Sequence, residues 1–310
     1  MTIRIAKPGF FTTVQDLGRY NYAHLGISPA GAADSLSFRL ANLLVGNDEN
    51  TPALEMMLLA ATLEFEQAAL VALTGARCDC QAGLDLAPAN AAFHVSPGTI
   101  LRCGNLVSGA RRYLAVQGGF DIPLVMGSAS TFVPGNFGGV QGRRLQRGDV
   151  LHVRKHEVSR RPRSLRPGAL DSFAAPGALR VTRGPQRHWF GPEAIAQLFS
   201  GAYIVSEQSN RSGVRLKGEP IRPRQQSELL TEGVSLGAIQ VPPDGHPIIL
   251  SVDQQTTGGY PKIANVIAAD MHRVGQLLPR DEVRFVEVSS AEAVAAIREQ
   301  QRRLKDAFMS

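Results

Sequence analysis

The sequence contains little cysteine, few aromatic side chains and no long apolar run. Its three cysteines, Cys78, Cys80 and Cys103, are an odd number in a chain of 310 residues, which argues against a disulfide framework. A single tryptophan and 6% aromatic residues argue against a surface that stacks single-stranded nucleic acid. No stretch approaches the roughly 18 consecutive apolar residues of a membrane helix, and Met1–Phe11 has no apolar core of signal-peptide length. We therefore expect a cytoplasmic protein that binds neither a membrane nor nucleic acid.

Several sequence signatures of ligand sites are also missing. No Gly-x-x-x-x-Gly-Lys-Ser/Thr segment is present, so the sequence does not predict a P-loop for nucleotide phosphates. No Gly-x-Gly-x-x-Gly segment opens a strand–helix unit, so a dinucleotide fold is not supported. The chain has no His-Glu-x-x-His motif, and the pair Cys78-x-Cys80 has no matching second pair. We therefore expect no metal site.

The sequence is instead rich in short strand-like segments joined by turns. It has 31 glycines and 19 prolines, with 44% hydrophobic residues. Short apolar runs bounded by turn residues predict strands at Ala69–Leu73, Arg112–Val116, Ile248–Val252 and Val283–Val288. Helical patterns are confined to Asp34–Val45 with Asp34 as N-cap, Pro192–Phe199 and Ala291–Phe308. These patterns predict a mainly β fold with a few helices, whose sheets are closed or half closed to protect their edges.

A change of composition near the middle of the chain predicts two lobes. We predict a first lobe over residues 1–157, a linker over 158–178, a second lobe over 179–290 and a C-terminal helix over 291–310. The net charge of +6 is concentrated in arginines between 143 and 166. Such a run can attract nucleic acid, anionic lipid or an acidic subunit. Pro162, Pro167 and the lack of helical periodicity favour a solvated linker.

The two predicted lobes end in similar segments. Residues 144–153 and 277–286 each form a polar turn with an acidic residue that leads into an apolar strand. Two lobes of related design would explain this similarity, and chance resemblance between two strand entries would explain it as well.

The segment Gly233–Ala264 is the strongest candidate for a binding site. Its Pro243-Asp244-Gly245 step has the residues of a tight turn, and a Thr-Thr-Gly-Gly loop follows at 256–259. Consecutive glycines can expose backbone N–H groups in an anion-binding concavity, to which Lys262 would add positive charge. The alternative is a turn with a structural role only.

Three further polar segments are candidates for sites. Ser209-Asn210-Arg211 could grip a carboxylate through Arg211, although Glu228 and Glu232 could instead neutralise the arginine. The other two are a group formed by Gln15, Asp16 and Arg19 ahead of the first helix, and the glycine-rich loop Gly135–Arg143. A helix N-terminus can hold an anion, but capping by Asp34 and a plain loop are the simpler interpretations.

A set of motifs in a fixed order resembles one known family. The motifs are Gly9–Arg19, Gly31–Asp34, Ala41–Asn42, Val45–Asn47, Thr74–Ala76, Tyr113–Gly119, Ser209–Arg211, Glu232–Val234, Gly237–Gly245 and Gln255–Ala264. In this order they resemble the family of 5-oxoprolinase C subunits, which is also called allophanate hydrolase subunit 2, KipA or the biotin-dependent carboxyltransferase family. The resemblance spans nearly the whole chain, to about Val288.

The resemblance implies a fold, partners and cofactors. The fold would be two cyclophilin-like β-barrel lobes, and the partners would be 5-oxoprolinase subunits of the A and B types. Such a complex uses ATP to open 5-oxoproline to glutamate, so the substrate would be a small amide or lactam. The chain has no Met-Lys-Met biotin-attachment motif and no nucleotide loop. We therefore expect ATP to be used by the complex, biotin to be present only if a partner carries it, and the chain to be inactive alone.

The candidate residues can be assigned roles on this basis. Lys262, Arg211 and Gln255 are predicted to be catalytic, because their donors could stabilise negative charge as it develops. The substrate or its anionic group is predicted to bind Thr256, Thr257, Gly258, Gly259, Tyr260, Ser209, Asn210 and Asp244.

Two other functions remain compatible with the same resemblance. The chain could be the carboxyltransferase component of a biotin-dependent urea or amide carboxylase. It could also be a KipA-like regulatory binding protein without catalysis. A biotin carboxylase partner would favour the first, and a sensor kinase partner would favour the second.

Overall fold

The computed structural model describes residues 1–154, 163–166, 169, 177–224 and 229–308. Its helices are α1 Ser35–Leu44, α2 Pro192–Ser200, α3 Met271–Val274 and α4 Ser290–Asp306. The strands up to residue 152 are β1 Thr2–Lys7, β2 Phe11–Gln15, β3 Ala53–Met57, β4 Thr62–Phe65, β5 Ala69–Arg77, β6 Cys80–Ala82, β7 Asp85–Leu86, β8 Ala92–Val95, β9 Ile100–Cys103, β10 Ser108–Val116 and β11 Val150–His152. The later strands are β12 Leu179–Arg183, β13 Tyr203–Val205, β14 Gly213–Lys217, β15 Glu232–Gly233, β16 Ala238–Gln240, β17 Ile248–Leu250, β18 Thr257–Gly258, β19 Lys262–Val266, β20 Glu282–Val283 and β21 Phe285–Glu287. The prediction of a mainly β fold with a few helices is confirmed.

The chain divides into two compact units that are not contiguous in sequence. The first unit comprises Met1–Arg19, Ala30–Ser172 and Leu304–Ser310, and the second comprises Tyr20–Pro29 and Phe173–Arg303. The predicted linker over 158–178 lies largely outside the described residues. The lobe boundaries drawn from composition therefore remain a prediction.

Two sheets form the first unit within the described residues. One has the strand order β11-β1-β4-β9-β6-β7, and the other has the order β2-β3-β10-β5-β8. The central strand β5 is apolar on both faces, because Val71 and Leu73 join the core between the sheets while Leu70 and Ala72 pack with Phe38 of α1. Alternate residues of a strand point to opposite faces. The sequence of a strand that is covered on both sides is therefore a continuous run of apolar residues.

Helix α1 begins where the sequence predicts. The Asp34 carboxylate accepts a hydrogen bond from Ser37 N at 2.9 Å, so Asp34 is the N-cap. The buried side chains of α1, which include Phe38 and Leu44, cover the outer face of β5 and β10. The capping interpretation of this segment is therefore confirmed.

The second unit is built on a sheet that almost closes on itself. Its described strands follow the order β20-β13-β14-β17-β16-β19-β12-β21. The two edge strands, β20 and β21, are separated in sequence by Arg284 alone. One segment of chain therefore supplies both edges, which protects them as a closed barrel would. The single strand predicted over Val283–Val288 is consequently two strands that pair with different partners.

No helix in the described parts of the chain is long and apolar enough to cross a membrane.

Candidate functional site

A cluster of polar side chains surrounds Lys262 in the second unit. Lys262 is the first residue of β19, and only 3% of its side chain is exposed. Its Nζ lies 2.5 Å from Oε1 of Glu232, the first residue of β15. The Glu232 side chain is 42% exposed. The ion pair therefore reaches from the interior of the unit to its surface.

Gln186 holds both members of this ion pair. Its Nε2 donates to Glu232 Oε1 at 2.7 Å, and its Oε1 accepts from Lys262 N at 3.1 Å. Its own backbone N–H donates to the carbonyl of Lys262 at 3.2 Å. The chain can approach β19 this closely because Gly184 faces the backbone of Lys262 and Ala264, where a Cβ would collide. Gln186 therefore fixes the position of the lysine and of the carboxylate together.

Gln240 adds an amide from the neighbouring strand. It lies directly opposite Lys262 in the pairing of β16 with β19, and it is buried. Its Oε1 accepts from Nε2 of Gln255 at 3.2 Å. Its Nε2 has no hydrogen-bond partner in the described part of the chain. A buried amide N–H₂ without an acceptor is costly, so this group is a candidate donor to a bound molecule.

Gly258 leaves room for the Gln240 amide. Strands β15 and β18 form a two-stranded pair in which Glu232 lies opposite Gly258 and Gly233 lies opposite Thr257. A Cβ at Gly258 would lie 2.7 Å from Nε2 of Gln240. A side chain at this position would therefore displace the amide.

The cluster contains several hydrogen-bond donors and one charged acceptor. The ammonium of Lys262, and then the amide of Gln186, hold the pKa of Glu232 below its usual range. Apart from Glu232, the described residues offer no acceptor to Lys262 Nζ, which carries three N–H donors. The site thus presents N–H donors from Lys262 and Gln240 beside the carboxylate of Glu232. This set matches an amide group, whose oxygen accepts and whose N–H donates.

Arg211, which the sequence predicts to be catalytic, lies in a different environment from Lys262. Its Nε and Nη2 donate to Asp253 at 2.8 and 3.1 Å, and both side chains are buried. The backbone N–H of Asp253 in turn donates to the carbonyl of Arg211 at 2.9 Å. Asp253 therefore neutralises Arg211, while Glu232 pairs with Lys262. Glu228, the other carboxylate that the sequence suggests for this role, lies outside the described residues. Through these contacts Arg211 holds in place the segment that leads to Gln255.

Ser209, Asn210 and Asp244 form local turns. Asn210 Oδ1 accepts from the backbone N–H groups of Ser212 and Gly213, and Ser209 Oγ accepts from Arg215 N. Asp244 is exposed in the turn between β16 and β17, where it accepts from His246 N at 3.0 Å. These contacts are those of Asx and serine turns, which order a loop without a ligand.

The Thr-Thr-Gly-Gly segment is extended rather than curled. Thr257 and Gly258 form β18, the carbonyl of Thr256 accepts from Val234 N, and neither Gly258 nor Gly259 has a positive φ. An anion-binding nest needs alternating right- and left-handed residues, so these glycines do not form one. Tyr260, with 45% of its surface exposed, and exposed Gln255 flank the segment at the surface.

The structure adds Glu232, Gln186 and Gln240 to the candidate site, and the sequence patterns predict none of the three as a site residue. Gln240 does carry a signal, because it interrupts the apolar run of residues 238–241 on a buried strand. Gln186 follows a different strand and carries no such signal. Only the pairing of the strands brings it to Lys262.

Residues 233–237 spell Gly-x-Ser-x-Gly, a pattern that also occurs at the nucleophile elbow of α/β hydrolases. Here it lies between β15 and β16, whereas an elbow joins a strand to a helix. Ser235 Oγ donates to Asn265 Oδ1 at 2.7 Å. The pattern is therefore not a nucleophile elbow.

The polar residues near the start of the chain form a compact network in the first unit. Asp16 is buried and accepts from Ser128 Oγ, Ala129 N and Gly18 N at 2.6, 2.6 and 2.8 Å. Its carboxylate thus ties two loops together. Arg19 lies over the ring of Phe137 at 4.9 Å. Both contacts indicate a structural role for this segment. In the described ranges, no group of three or more His, Cys, Asp or Glu residues could hold a metal ion.

Comparison with known proteins decides the family. A family model described as "Carboxyltransferase domain, subdomain A and B" matches residues 25–287. The chain belongs to this carboxyltransferase-domain family. It is 40% identical over 300 residues to the C subunit of 5-oxoprolinase from Escherichia coli (strain K12), a match that covers 97% of this chain and 96% of that protein. The family resemblance drawn from the ordered motifs is confirmed.

Other members of the carboxyltransferase-domain family are parts of much longer chains. "Urea amidolyase" of Saccharomyces cerevisiae is 37% identical over 309 residues, which cover 93% of this chain and 17% of that protein. The crystal structure of the K. lactis urea amidolyase superposes with a TM-score of 0.92 at 34% identity. That match covers 98% of this chain and 20% of the amidolyase chain. The chain thus spans about a fifth of that amidolyase chain.

Proposed function

We propose that the chain is one subunit of an ATP-dependent 5-oxoprolinase, which opens 5-oxoproline to glutamate together with A-like and B-like subunits. The observation that carries the proposal is its 40% identity to the C subunit of a 5-oxoprolinase over 96% of that protein's length. The cluster around Lys262 supports a substrate that contains an amide or lactam group. We further propose that the complex works in the cytoplasm and that the chain is inactive alone.

In this proposal the lactam oxygen accepts hydrogen bonds from Gln240 Nε2 and Lys262 Nζ. These donors have no competing acceptor among the described residues except Glu232. The carboxylate of Glu232 accepts the lactam N–H from the exposed side of the cluster. Negative charge that develops on the lactam oxygen during ring opening is stabilised by the two donors, which are held in place before the substrate binds.

The cluster does not fit a triphosphate. Lys262 is neutralised by Glu232, and Gly258 and Gly259 are extended, so neither supplies the concave array of N–H groups that a triphosphate needs. We therefore place ATP on a partner chain. Biotin, if the complex uses it, would also be carried by a partner.

The first experiment measures glutamate released from 5-oxoproline in the presence of ATP. The chain is combined with its A-like and B-like partners, and each protein is omitted in turn. The proposal predicts turnover only when all three are present. Glutamate release without this chain would overturn the proposal.

A substitution then tests the role of the cluster. Lys262→Met removes the donor and leaves Glu232 in contact with water, so we expect the complex to assemble while turnover falls by about 10²- to 10³-fold. Lys217→Met is the matched control, because Lys217 is exposed on β14 of the same unit. Equal turnover by the two variants would exclude a role for Lys262.

A second candidate function is carboxyl transfer to urea or another amide. It is supported by the description of the family model and by the 37% identity to a urea amidolyase. Urea presents the same pairing of a carbonyl oxygen with N–H groups. Transfer of a carboxyl group from a biotin-carrying partner to urea, without glutamate release from 5-oxoproline, would favour this function. A purely regulatory protein would support neither reaction.

A further inference from the structure

The three cysteines of the chain meet in the first unit, whereas the Lys262 cluster belongs to the second unit. Cys80 on β6 lies directly opposite Cys103 on β9, and Cys78 lies two residues before Cys80, the first residue of β6. The Sγ atoms of Cys78 and Cys80 are 3.2 Å apart, which is within hydrogen-bond distance for two thiols. Cys80 and Cys103 are buried, whereas Cys78 is only partly buried.

A buried arginine contacts the backbone two residues before Cys78. Arg112 on β10 is 1% exposed, and its Nη1 donates to the carbonyl of Ala76 at 2.6 Å. Its Nε and Nη2 have no hydrogen-bond partner within the ranges that the structure describes. A buried guanidinium with unpartnered donors needs a neighbouring negative charge. A thiolate at Cys78 would supply it.

We propose that the three cysteines form a peroxide-reactive thiol site, in which Cys78 is oxidised first and a neighbouring cysteine then closes a disulfide with it. Hydrogen bonds from Cys103 and Cys80, together with the charge of Arg112, lower the pKa of the Cys78 thiol. The other two thiols remain protonated. Hydrogen bonding with Cys103 lowers the pKa of Cys80, but hydrogen bonding with Cys78 and burial outweigh it and raise that pKa. Hydrogen bonding with Cys78 and Cys80, and then burial, raise the pKa of Cys103. Cys78 is also the most accessible of the three.

The chemistry balances with hydrogen peroxide as the oxidant. The Cys78 thiolate attacks one peroxide oxygen, the O–O bond breaks, and hydroxide leaves and takes up a proton as water. The sulfur of Cys80 then attacks the Cys78 sulfenic acid, the S–O bond breaks, and the departing hydroxide takes up the Cys80 thiol proton and leaves as a second water. Two thiols have then given two electrons to one peroxide. The two sulfurs need to approach by only about 1.2 Å to reach the length of a disulfide bond.

Thiol counting on the full-length chain tests the proposal directly. The chain contains three cysteines, so the reduced protein should react with three equivalents of a thiol reagent after unfolding. After stoichiometric peroxide it should react with one, and peptide mapping should place Cys78 in the disulfide. Cys78→Ser should retain two free thiols under the same conditions. Three free thiols in oxidised wild-type protein, or a disulfide between Cys80 and Cys103, would overturn the proposal.

The pH dependence of alkylation tests the thiolate without any substitution. Alkylation of Cys78 by iodoacetamide should change less than about twofold between pH 6 and 8, whereas an ordinary thiol speeds up about tenfold per pH unit in this range. Arg112→Met should raise the pH at which alkylation of Cys78 reaches its plateau, because one positive charge near the thiolate is lost, whereas Arg102→Met, at an exposed position of β9, should leave that pH unchanged. If Arg112→Met does not fold, the pH dependence of Cys78 alkylation in the wild-type protein tests the proposal alone. A rate that rises about tenfold per pH unit between pH 6 and 8 would refute it.

Discussion

Gly258 offers a way to displace one amide of the candidate site with a single methyl group. Its φ lies outside the left-handed region, so the backbone itself accepts alanine. The added Cβ would lie only 2.7 Å from Gln240 Nε2, which is too close. It would lie 3.4 Å from Val234 Cγ1, the next nearest atom. Gly233 in the paired strand is a matched control, because a Cβ there would meet nothing within 4 Å.

The size of the effect follows from these distances. The Gln240 amide must move by about 0.7 Å to restore ordinary van der Waals contact with the new methyl group. That movement breaks the 3.2 Å hydrogen bond from Gln255, which costs about 1 kcal/mol of stability. It also misplaces a donor by nearly 1 Å, and a misplacement of this size lowers turnover by about 10²-fold.

The assay compares Gly258→Ala and Gly233→Ala in the assembled complex. We expect glutamate release from 5-oxoproline to fall about 10²-fold in the first variant and less than twofold in the second. Thermal unfolding should show both folded, with Tm lowered by about 2–4 °C for Gly258→Ala. Equal turnover in the two variants, with both complexes intact, would refute the assignment of Gln240 as a donor to the substrate.

Other predictions concern the stability of each unit. Asp270 is fully buried against Arg180 and Arg273 at 2.6 and 3.4 Å, so Asp270→Asn should lower the free energy of unfolding by about 3–5 kcal/mol in urea titrations, and a loss below about 1 kcal/mol would contradict this. Burial opposes ionisation of Asp270, but hydrogen bonds from Arg180 outweigh it and lower its pKa. This stabilisation should therefore be present above about pH 4 and disappear as the pH falls further, and Asp270→Asn should flatten that part of the profile. In the first unit, Asp34→Ala should cost about 1 kcal/mol through loss of the helix cap, whereas Asp34→Asn should be nearly neutral.

Local features of the fold can be predicted from the sequence because they depend on neighbouring residues. The start of α1 depends on the Asp34 carboxylate and the amide three residues later, and both are visible in the sequence. The strands β5 and β10 read as apolar runs because both of their faces are covered. The split of residues 283–288 into two strands cannot be predicted in this way, since it depends on which partner each half pairs with.

The candidate site depends more on strand pairing than on local pattern. The loop that precedes Lys262 predicts a site there, but the contacts of Lys262 with Gln186 and Glu232 come from segments 76 and 30 residues away. The adjacent glycines suggest an anion-binding turn, and the pairing of β18 with β15 extends them instead. The sequence also allows Arg211 to be part of an ion pair, and its partner is Asp253. The three cysteines likewise meet only through the pairing of β6 with β9.

The last residues of the chain belong to the first unit, and this has a consequence for synthesis on the ribosome. Leu304 and Ala307 are buried there, and Phe308 packs beside Leu165 on the core that contains Phe38. A nascent chain that has passed residue 172 must wait for more than 130 further residues before this core is complete. At the usual rate of elongation, about 5–20 residues per second, the delay is roughly 7–26 s. During that time the first unit would expose the surface that the C-terminus later covers, so a fragment that ends before residue 304 should bind chaperones more readily than the full-length chain.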